Sequence, residues 1–472
     1  MKPQDLPDDL TLAFDRQRAA TTAQRDVPWS ARASRLQRLQ QLLTQHDGEI
    51  KSAINADFGG RSATETALGD VWPSLEAIKG ALRHGKGWMR PRHAGVGKWF
   101  LPARAEVLPQ PLGVVGVIVP WNYPLYLAIG PMTAALAAGN RLMVKMSELT
   151  PSFSALFQRL CEQAFALDEV CIVNGGPDVA AAFSALPFDH LLFTGSTPVG
   201  RKVMAAAAAN LTPVTLELGG KSPAVVTPGY PLVHAVQRIL AGKLINAGQT
   251  CIAPDYVLLP RAQLKAFVDA ARALAQRCHP TGLADADYCS IISPRHHGRL
   301  VQALEEATAR GTRAETLFSG PSSDDARHRL APTLLIDPPP DSELMRDEIF
   351  GPLLPLVPYD TLEDAVNFIN ARPHPLALYW FDQDRERTDA ALRQLPAGGV
   401  SVNDTLVHIA QESLPFGGVG ASGMGHYHGR WGFDTFSKLK PVFYQSRFNG
   451  MALFLPPYRP LMQRLLRLMM RY

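Results

Sequence analysis

Along residues 30–58, Leu36, Leu39, Leu42, Leu43, Ile50 and Ile54 recur at steps of roughly three and four, the period of a helix with one buried face. Gly59-Gly60 ends the run. A second helical pattern covers about 65–89. Both predict helices packed against a neighbouring layer. From about residue 112 the rhythm changes to short apolar or β-branched runs: "VVGVIVP" (114–120), "RLMVKMS" (141–147), "EVCIVNGG" (169–176), "HLLFTGS" (190–196) and "AVVTP" (224–228). Helix-length segments such as 125–138, 151–166 and 198–209 separate them. Near-continuous apolar strands alternating with helices predict an α/β fold with a parallel sheet covered on both faces. In such folds ligands bind beyond the carboxyl ends of the strands.

A second α/β pattern occupies about 219–402, with helices expected near 231–247, 261–277, 294–310 and 361–371. No internal repeat or low-complexity stretch is visible. At 472 residues the chain exceeds what one core supports, so two or three domains are expected. A net charge of +4, with no long basic block before the tail, argues against nucleic-acid binding. Five scattered cysteines without a CxxC pair suit free thiols in a reducing compartment. The opening "MKPQDLPDDL" has no apolar core of a signal peptide, and no run of ~20 apolar residues predicts a spanning helix. The expected location is cytoplasmic.

Several stretches carry candidate chemistry, and each also has an ordinary structural reading. Cys251, in "INAGQTCIAPDYVL", is either a buried filler or a nucleophile. Glu217 interrupts the apolar run "VTLELGGKSP". A carboxylate there is costly to bury unless paired; desolvation would raise its pKa into the range of a general base, or it serves a structural ion pair. Asn122, in "IVPWNYPLYL", could donate to a developing oxyanion or brace a turn. "FTGSTPVG" (193–200) turns from strand to helix at Gly195 and Ser196, where unpaired helix N–H groups favour phosphate, although capped turns of this kind are common. Lys145 and Glu148 leave a strand end in "VKMSELT", as a ribose clamp or as an exposed ion pair. Spacing alone assigns no chemistry to Glu348 and Phe350 in "EIFGPLLP".

Taken together, "PWNYP", "KMSE", "FTGST", "LELGGKSP", "GQTCIAPDY", "EIFGPLLP" and "LPFGGVGASGMGHYHG" resemble the aldehyde dehydrogenase superfamily, in its order and over most of the chain. Glu217 stands 34 positions before Cys251, which is similar to the family's spacing. "GQTCIAPDY" and "SGMGHYHGRWGFDTFS" are most similar to its class 3-type branch, and "VKMSELTP" to coniferyl aldehyde dehydrogenases within it. The resemblance implies that Cys251 attacks an aldehyde, with Asn122 and the Cys251 backbone N–H stabilising the oxyanion. Hydride then passes to a nicotinamide, and water activated by Glu217 hydrolyses the thioester. It also implies that Glu348, with Phe350 beside it, holds the nicotinamide ribose. Lys145 and Glu148 would hold the adenosine ribose, Gly195 and Ser196 would lie under the pyrophosphate, and Tyr123 and Phe416 would line the substrate entrance. No metal site is implied.

The expected architecture is a Rossmann-type cofactor domain (1–92 and 110–218), an α/β catalytic domain (219–402), small β bridging segments (93–109 and 403–446) that build a homodimer, and a tail (447–472). Many members carry Lys-Pro-Ser-Glu where this chain has Lys145-Met146-Ser147-Glu148. The retained carboxylate would repel a 2′-phosphate, which favours NAD and leaves NADP open. The expected substrate is coniferyl or another aromatic aldehyde, with medium-chain aliphatic aldehydes second. A coenzyme A-acylating relative and a catalytically idle binding protein are the alternatives, and Glu217 with Cys251 argues against both. The tail has Arg459, Arg464, Arg467 and Arg471 and no acid from 451 onward. Pro460 would open a helix with Arg464, Arg467 and Arg471 on one face and Leu461, Leu465, Leu468 and Met469 as an apolar stripe. Packing of that stripe on the subunit or across a dimer is the favoured reading; weak contact with an anionic membrane surface is the other.

Overall fold

The computed structural model describes residues 8–470. The first set of apolar runs forms a six-stranded sheet in the order Gly423–Met424, Val214–Leu218, His190–Gly195, Val114–Ile118, Arg141–Lys145, Val170–Val173. All its pairings are parallel except the Gly423–Met424 edge. Every residue of Val114–Ile118, of Arg141–Lys145 and of the helix Tyr126–Ala138 is buried, which explains why these segments are apolar without alternation. A seven-stranded sheet follows, in the order Arg313–Thr316, Thr333–Ile336, Leu353–Tyr359, Tyr256–Pro260, Pro223–Val226, Ala377–Phe381, Gly399–Val402. It too is parallel except at one edge, Arg313–Thr316. The chain crosses between the sheets through Gly219, Gly220, Lys221 and Ser222, so the ends of both sheets meet there. A third, antiparallel sheet joins Arg92–Ala94, Arg104–Pro111 and Ser437–Tyr444.

Three expected helices are broken. The run over 30–58 is two helices, Trp29–Gln45 and Asp47–Phe58, with His46 off helical geometry between them. Asp47 and Glu49 occupy the first turn of the second helix, where negative charge is favourable, and the apolar stripe continues across the break. The stretch from 65 to 89 contains a π-helical turn, Ala67–Val71, ahead of Trp72–Trp88; such turns gather at functional sites. The helix expected over 231–247 stops at Leu244, and Ile245–Gly248 turns away from it. The helix Asp8–Ala23 was not expected. Gln17 docks it by donating to the carbonyls of Leu142 and Leu167.

The π-turn brings Asp70 inward. Its carboxylate lies 2.9 Å from the Arg61 guanidinium, and neither side chain is exposed. Asp70 Oδ1 also accepts from the N–H groups of Leu125 (3.1 Å) and Tyr126 (3.0 Å), which open the buried helix. Arg61 donates to the Asn122 carbonyl at 3.0 Å and lies over the rings of Phe58 and Tyr123. Asp70→Ala leaves the guanidinium charge buried and uncompensated. We expect a loss of about 3–5 kcal/mol, read from the urea denaturation midpoint. A double replacement of Arg61 and Asp70 by Met and Leu should recover most of it.

Candidate active site

A cleft of about 1140 Å³ opens where the two sheets meet, and Asn122, Gly195, Ser196, Glu217, Cys251, Glu348 and Phe350 all line it. Cys251 follows a turn in which Asn246 (φ 52), Ala247 (φ 49) and Gly248 (φ 77) are successively left-handed. That geometry is costly for the two non-glycines, and side chains hold it. Asn246 Nδ2 donates to the carbonyls of Asn122 (3.0 Å) and Gln249 (3.2 Å). Gln249 Nε2 donates to the carbonyls of Asn246 and Ser290, and its Oε1 accepts from Ile292 N–H. A Cβ on Gly248 would lie 2.3 Å from the Gly351 carbonyl oxygen, so only glycine fits.

Asn122 is tied into the same turn. Its Nδ2 donates to the Gln249 carbonyl at 3.1 Å, which uses one of its two amide protons and leaves the other for a ligand. Cys251 is partly exposed to the cleft. Burial pushes its thiol up, and the charges of Glu348 and Glu217 push in the same direction, so a thiolate forms only with help from a base. Glu217 is 2% exposed and neither carboxylate oxygen has a partner. Burial alone holds it well above the ordinary carboxylate range.

Glu348 is seated by the glycine pair. A Cβ on Gly219 would fall 1.9 Å from Glu348 Oε2, while its Oε1 is buried without a partner. Burial, with Asp255 nearby, pushes this carboxyl up to about 8. Phe350 has φ 51, rare for a bulky residue, and packs edge-on to Trp121 at 5.3 Å. Lys221 bonds Asp255 and the carbonyls of Leu344 (2.7 Å) and Asp347 (3.1 Å). Asp255 in turn accepts from Ile349 N–H at 3.0 Å, so the segment carrying Glu348 is pinned from below. At the other end, Ser196 precedes the helix Thr197–Ala208 without capping it through its side chain. Its hydroxyl and the N–H groups of Thr197 and Val199, on either side of Pro198, are free for an anion. A Cβ on Gly195 would lie 2.5 Å from the Phe193 ring. An anion-ready helix start, a free hydroxyl and the orphaned oxygen of Glu348 fit a dinucleotide with a pyrophosphate and a ribose.

The cleft does not gather every residue singled out in the sequence. Lys145 is buried, donates to the Met146 carbonyl at 2.6 Å and lies 3.8 Å from half-exposed Glu148; neither lines the cleft. Tyr123 and Phe416 also stand outside its lining. The Tyr123 hydroxyl pairs with Thr250 Oγ1 at 2.8 Å, and Phe416 stacks on His428 at 5.3 Å. Sequence reading missed Arg61, Asp70, Asn246, Gln249, Lys221 and Asp255. Four of these lie inside stretches it had singled out, and an unusual density of polar residues in an apolar context was the available signal.

The profile of the aldehyde dehydrogenase family matches residues 3–442. A protein of Pseudomonas aeruginosa named "Probable coniferyl aldehyde dehydrogenase" is 50% identical over 97% of this chain and 95% of its own length. The coniferyl aldehyde dehydrogenase of Pseudomonas sp. strain HR199 is 44% identical over 93% and 91%. The substrate-bound structure of Staphylococcus aureus AldH superposes with a TM-score of 0.92 at 35% identity, over 98% of this chain and 99% of that one. The chain therefore belongs to the aldehyde dehydrogenase family, as an oxidoreductase that acts on aldehydes.

Proposed function

We propose that this chain oxidises an aromatic aldehyde, coniferyl aldehyde or a similar aromatic propenal first among them, to the carboxylic acid with NAD. The observation that carries the reaction is the meeting of Cys251, the spare Asn122 proton and unpartnered Glu217 in one cleft. The aromatic substrate rests on the names of the two Pseudomonas relatives. Medium-chain aliphatic aldehydes are the second choice.

The Cys251 thiol passes its proton to water in the cleft as its sulfur adds to the carbonyl carbon, forming the C–S bond while the C=O π bond opens to the oxyanion. The oxyanion accepts from Asn122 Nδ2 and the Cys251 backbone N–H, which stabilise its charge. The dinucleotide, when bound, supplies the two-electron acceptor. Collapse of the oxyanion then leaves an acyl thioester on Cys251. Glu217 takes a proton from water, the hydroxide adds to the thioester, and the acid leaves as the thiolate is restored. Ser196 and the helix start after Gly195 hold the pyrophosphate, while Glu348, with Phe350 beside it, holds the nicotinamide ribose. Lys145 and Glu148 hold the adenosine ribose, and the Glu148 carboxylate favours NAD over NADP. Tyr123 and Phe416 border the substrate's route. In this reading the six-stranded sheet is the cofactor unit (1–92 and 110–218), the seven-stranded sheet the catalytic unit (219–402), and 93–109 with 403–446 the bridging segments.

The same reading makes the protein a cytoplasmic homodimer. Ser437–Tyr444 is an edge strand that leaves Leu439, Phe443 and Tyr444 exposed, as a strand awaiting a partner does. Among the described residues no helix is long and apolar enough to cross a membrane. The tail helix forms as expected, Pro460–Met469, with Arg471 outside the described residues. Its expected stripe is split: Leu461 and Leu468 are 57% and 56% exposed, Leu465 and Met469 are half-buried, and Met462, outside that stripe, is buried. One side of the helix thus packs on the subunit, and the exposed Leu461 and Leu468 are left for a partner subunit or a weak hold on an anionic lipid surface.

An aldehyde panel tests the proposal. Coniferyl aldehyde should give a higher kcat/KM than benzaldehyde or hexanal, with NADH formation independent of coenzyme A; a requirement for coenzyme A would identify an acylating enzyme. Cys251→Ala should lose all turnover while binding NAD normally. Glu217→Gln should release one burst of NADH and then turn over about 10²–10⁴-fold more slowly. The signs of the pKa shifts fix the pH profile. Glu217 works only deprotonated and its pKa is raised, so kcat should climb with pH well above the range of an ordinary carboxylate, and that limb should vanish in Glu217→Gln. Flotation of the full chain and of one ending at Asn449 with anionic vesicles at low salt tests the tail. The full chain should float and the shorter one sink; if both stay soluble and the shorter one becomes monomeric, the tail is a subunit interface.

A further inference from the structure

The turn that delivers Cys251 has a support that lies outside the cleft. Beyond the helix Leu232–Leu244 the chain turns left-handed at Asn246, which is fully buried. A buried backbone N–H at such a turn costs stability unless it finds an acceptor. Here the acceptor is Glu65, 181 positions away in the chain, whose Oε1 takes the Asn246 N–H at 3.1 Å. The other polar atoms of Asn246 are served closer to hand. Its carbonyl accepts from Gln249 N–H (3.0 Å) and Gln249 Nε2 (2.9 Å), and its Oδ1 accepts from the Cys289 thiol at 3.3 Å.

Glu65 stands on a rigid base. Ser62 Oγ accepts its N–H at 3.1 Å and caps the short helix Ala63–Thr66. Just ahead of that helix, Arg61 N–H donates to Asn55 Oδ1 at 2.8 Å; just after it comes the π-turn that aims Asp70. One stretch of ten residues thus carries three side chains to the loops around the cleft: Arg61 to the Asn122 carbonyl, Asp70 to the start of the buried helix, and Glu65 to Asn246. Glu65 itself does not line the cleft. Its Oε2 is buried without a partner, so the side chain is committed through Oε1. Burial raises its pKa against the opposing pull of Arg61 and the Asn246 N–H. A proton on Oε2 would leave Oε1 an acceptor, so the contact does not depend on charge.

We infer that Glu65 is a positioning residue for the nucleophile. By taking the Asn246 N–H it fixes the first left-handed residue of the turn, and through the turn it sets where Cys251 stands relative to Asn122. What the position requires is an oxygen at the right reach rather than a negative charge. This rests on the reading of Cys251 as the nucleophile.

Two substitutions separate reach from charge, and both keep a polar group in the pocket so that the fold is spared. Glu65→Gln keeps an oxygen at the same reach and removes the charge. Glu65→Asp keeps the charge and draws the acceptor back by about 1.5 Å, one C–C bond, beyond hydrogen-bond distance. The probe is 4-nitrophenyl acetate without dinucleotide. The Cys251 sulfur adds to its acetyl carbon, the thiol proton passes to water and 4-nitrophenolate leaves, so the first burst of nitrophenolate gives the acylation rate. Glu65→Gln should acylate within about twofold of wild type, and Glu65→Asp about 10–10²-fold more slowly. Fluorescence titration should give both variants the wild-type Kd for NADH, because Glu65 does not line the cleft that holds it. A Glu65→Asp enzyme that acylates at the wild-type rate would overturn the inference, as would a Glu65→Gln enzyme as slow as Glu65→Asp. So would a loss of NADH affinity in step with the loss of acylation, which would mark a general loosening of the fold. A nitrophenolate burst that survives in Cys251→Ala would instead overturn the reading of the nucleophile.

Discussion

An ion pair sealed from water, Arg61 with Asp70, fixes the loop from which the active site is built. Neither charge could stay buried alone, so the groups around them are arranged to serve both. Asp70 takes the first two N–H groups of the buried helix, and Arg61 takes the carbonyl of Asn122. That carbonyl also accepts from Asn246, the first of the left-handed residues before Cys251. Asn122 then returns a hydrogen bond to Gln249. Asn122 and the turn that leads to Cys251 are therefore two ends of one bonded circuit. The spacing of Asn122 and Cys251 across the cleft depends on a charge pair that does not line it.

Much of this was legible in the chain and some of it was not. The parallel sheets followed from uninterrupted apolar runs, because strands buried on both faces need no alternation. Cys251, Glu217 and Asn122 stood out as polar or reactive groups in apolar or turn contexts, and the structure places them together. The breaks were hidden. His46 separates two helices whose apolar stripes continue across it, so the periodicity shows one helix. The π-turn at Ala67–Val71 inserts extra residues to aim Asp70 at Arg61, a contact between positions that no local pattern links. Left-handed Asn246 and Ala247 are held by side chains from distant segments, and that support has no signature in the short stretch "INAGQTC". The tail shows the opposite limit. Its helix was evident, but its burial was not, because what covers a stripe is not encoded in the stripe.

Desolvation dominates the electrostatics. Glu217, Glu348 and Cys251 are each pushed toward the neutral form by burial first; Asp255 adds to the shift of Glu348, and Glu348 and Glu217 add to that of Cys251. Groups coupled in this way do not titrate independently. Loss of one proton makes the next harder to remove, so the cleft resists carrying several negative charges at once. Ribose hydroxyls donated to Glu348 would ease its share of that burden, which links cofactor seating to the ionisation of the thiol.

The same coupling orders the chemistry in time. While Cys251 is a thiolate, its charge opposes ionisation of Glu217, and by reciprocity a charged Glu217 raises the thiol. Once the sulfur is acylated it is neutral, and that opposition disappears. In the proposed reaction the sulfur opposes Glu217 only while Cys251 is a thiolate; the thioester, like the neutral thiol, leaves the carboxyl free to charge when hydrolysis needs a base. A glutamate with an ordinary, solvated carboxylate would be charged throughout and would hold the thiol protonated during the first step. In the proposed mechanism, burial without a permanent partner would give Glu217 its timing, at the cost of a carboxylate that the folded protein must keep dry.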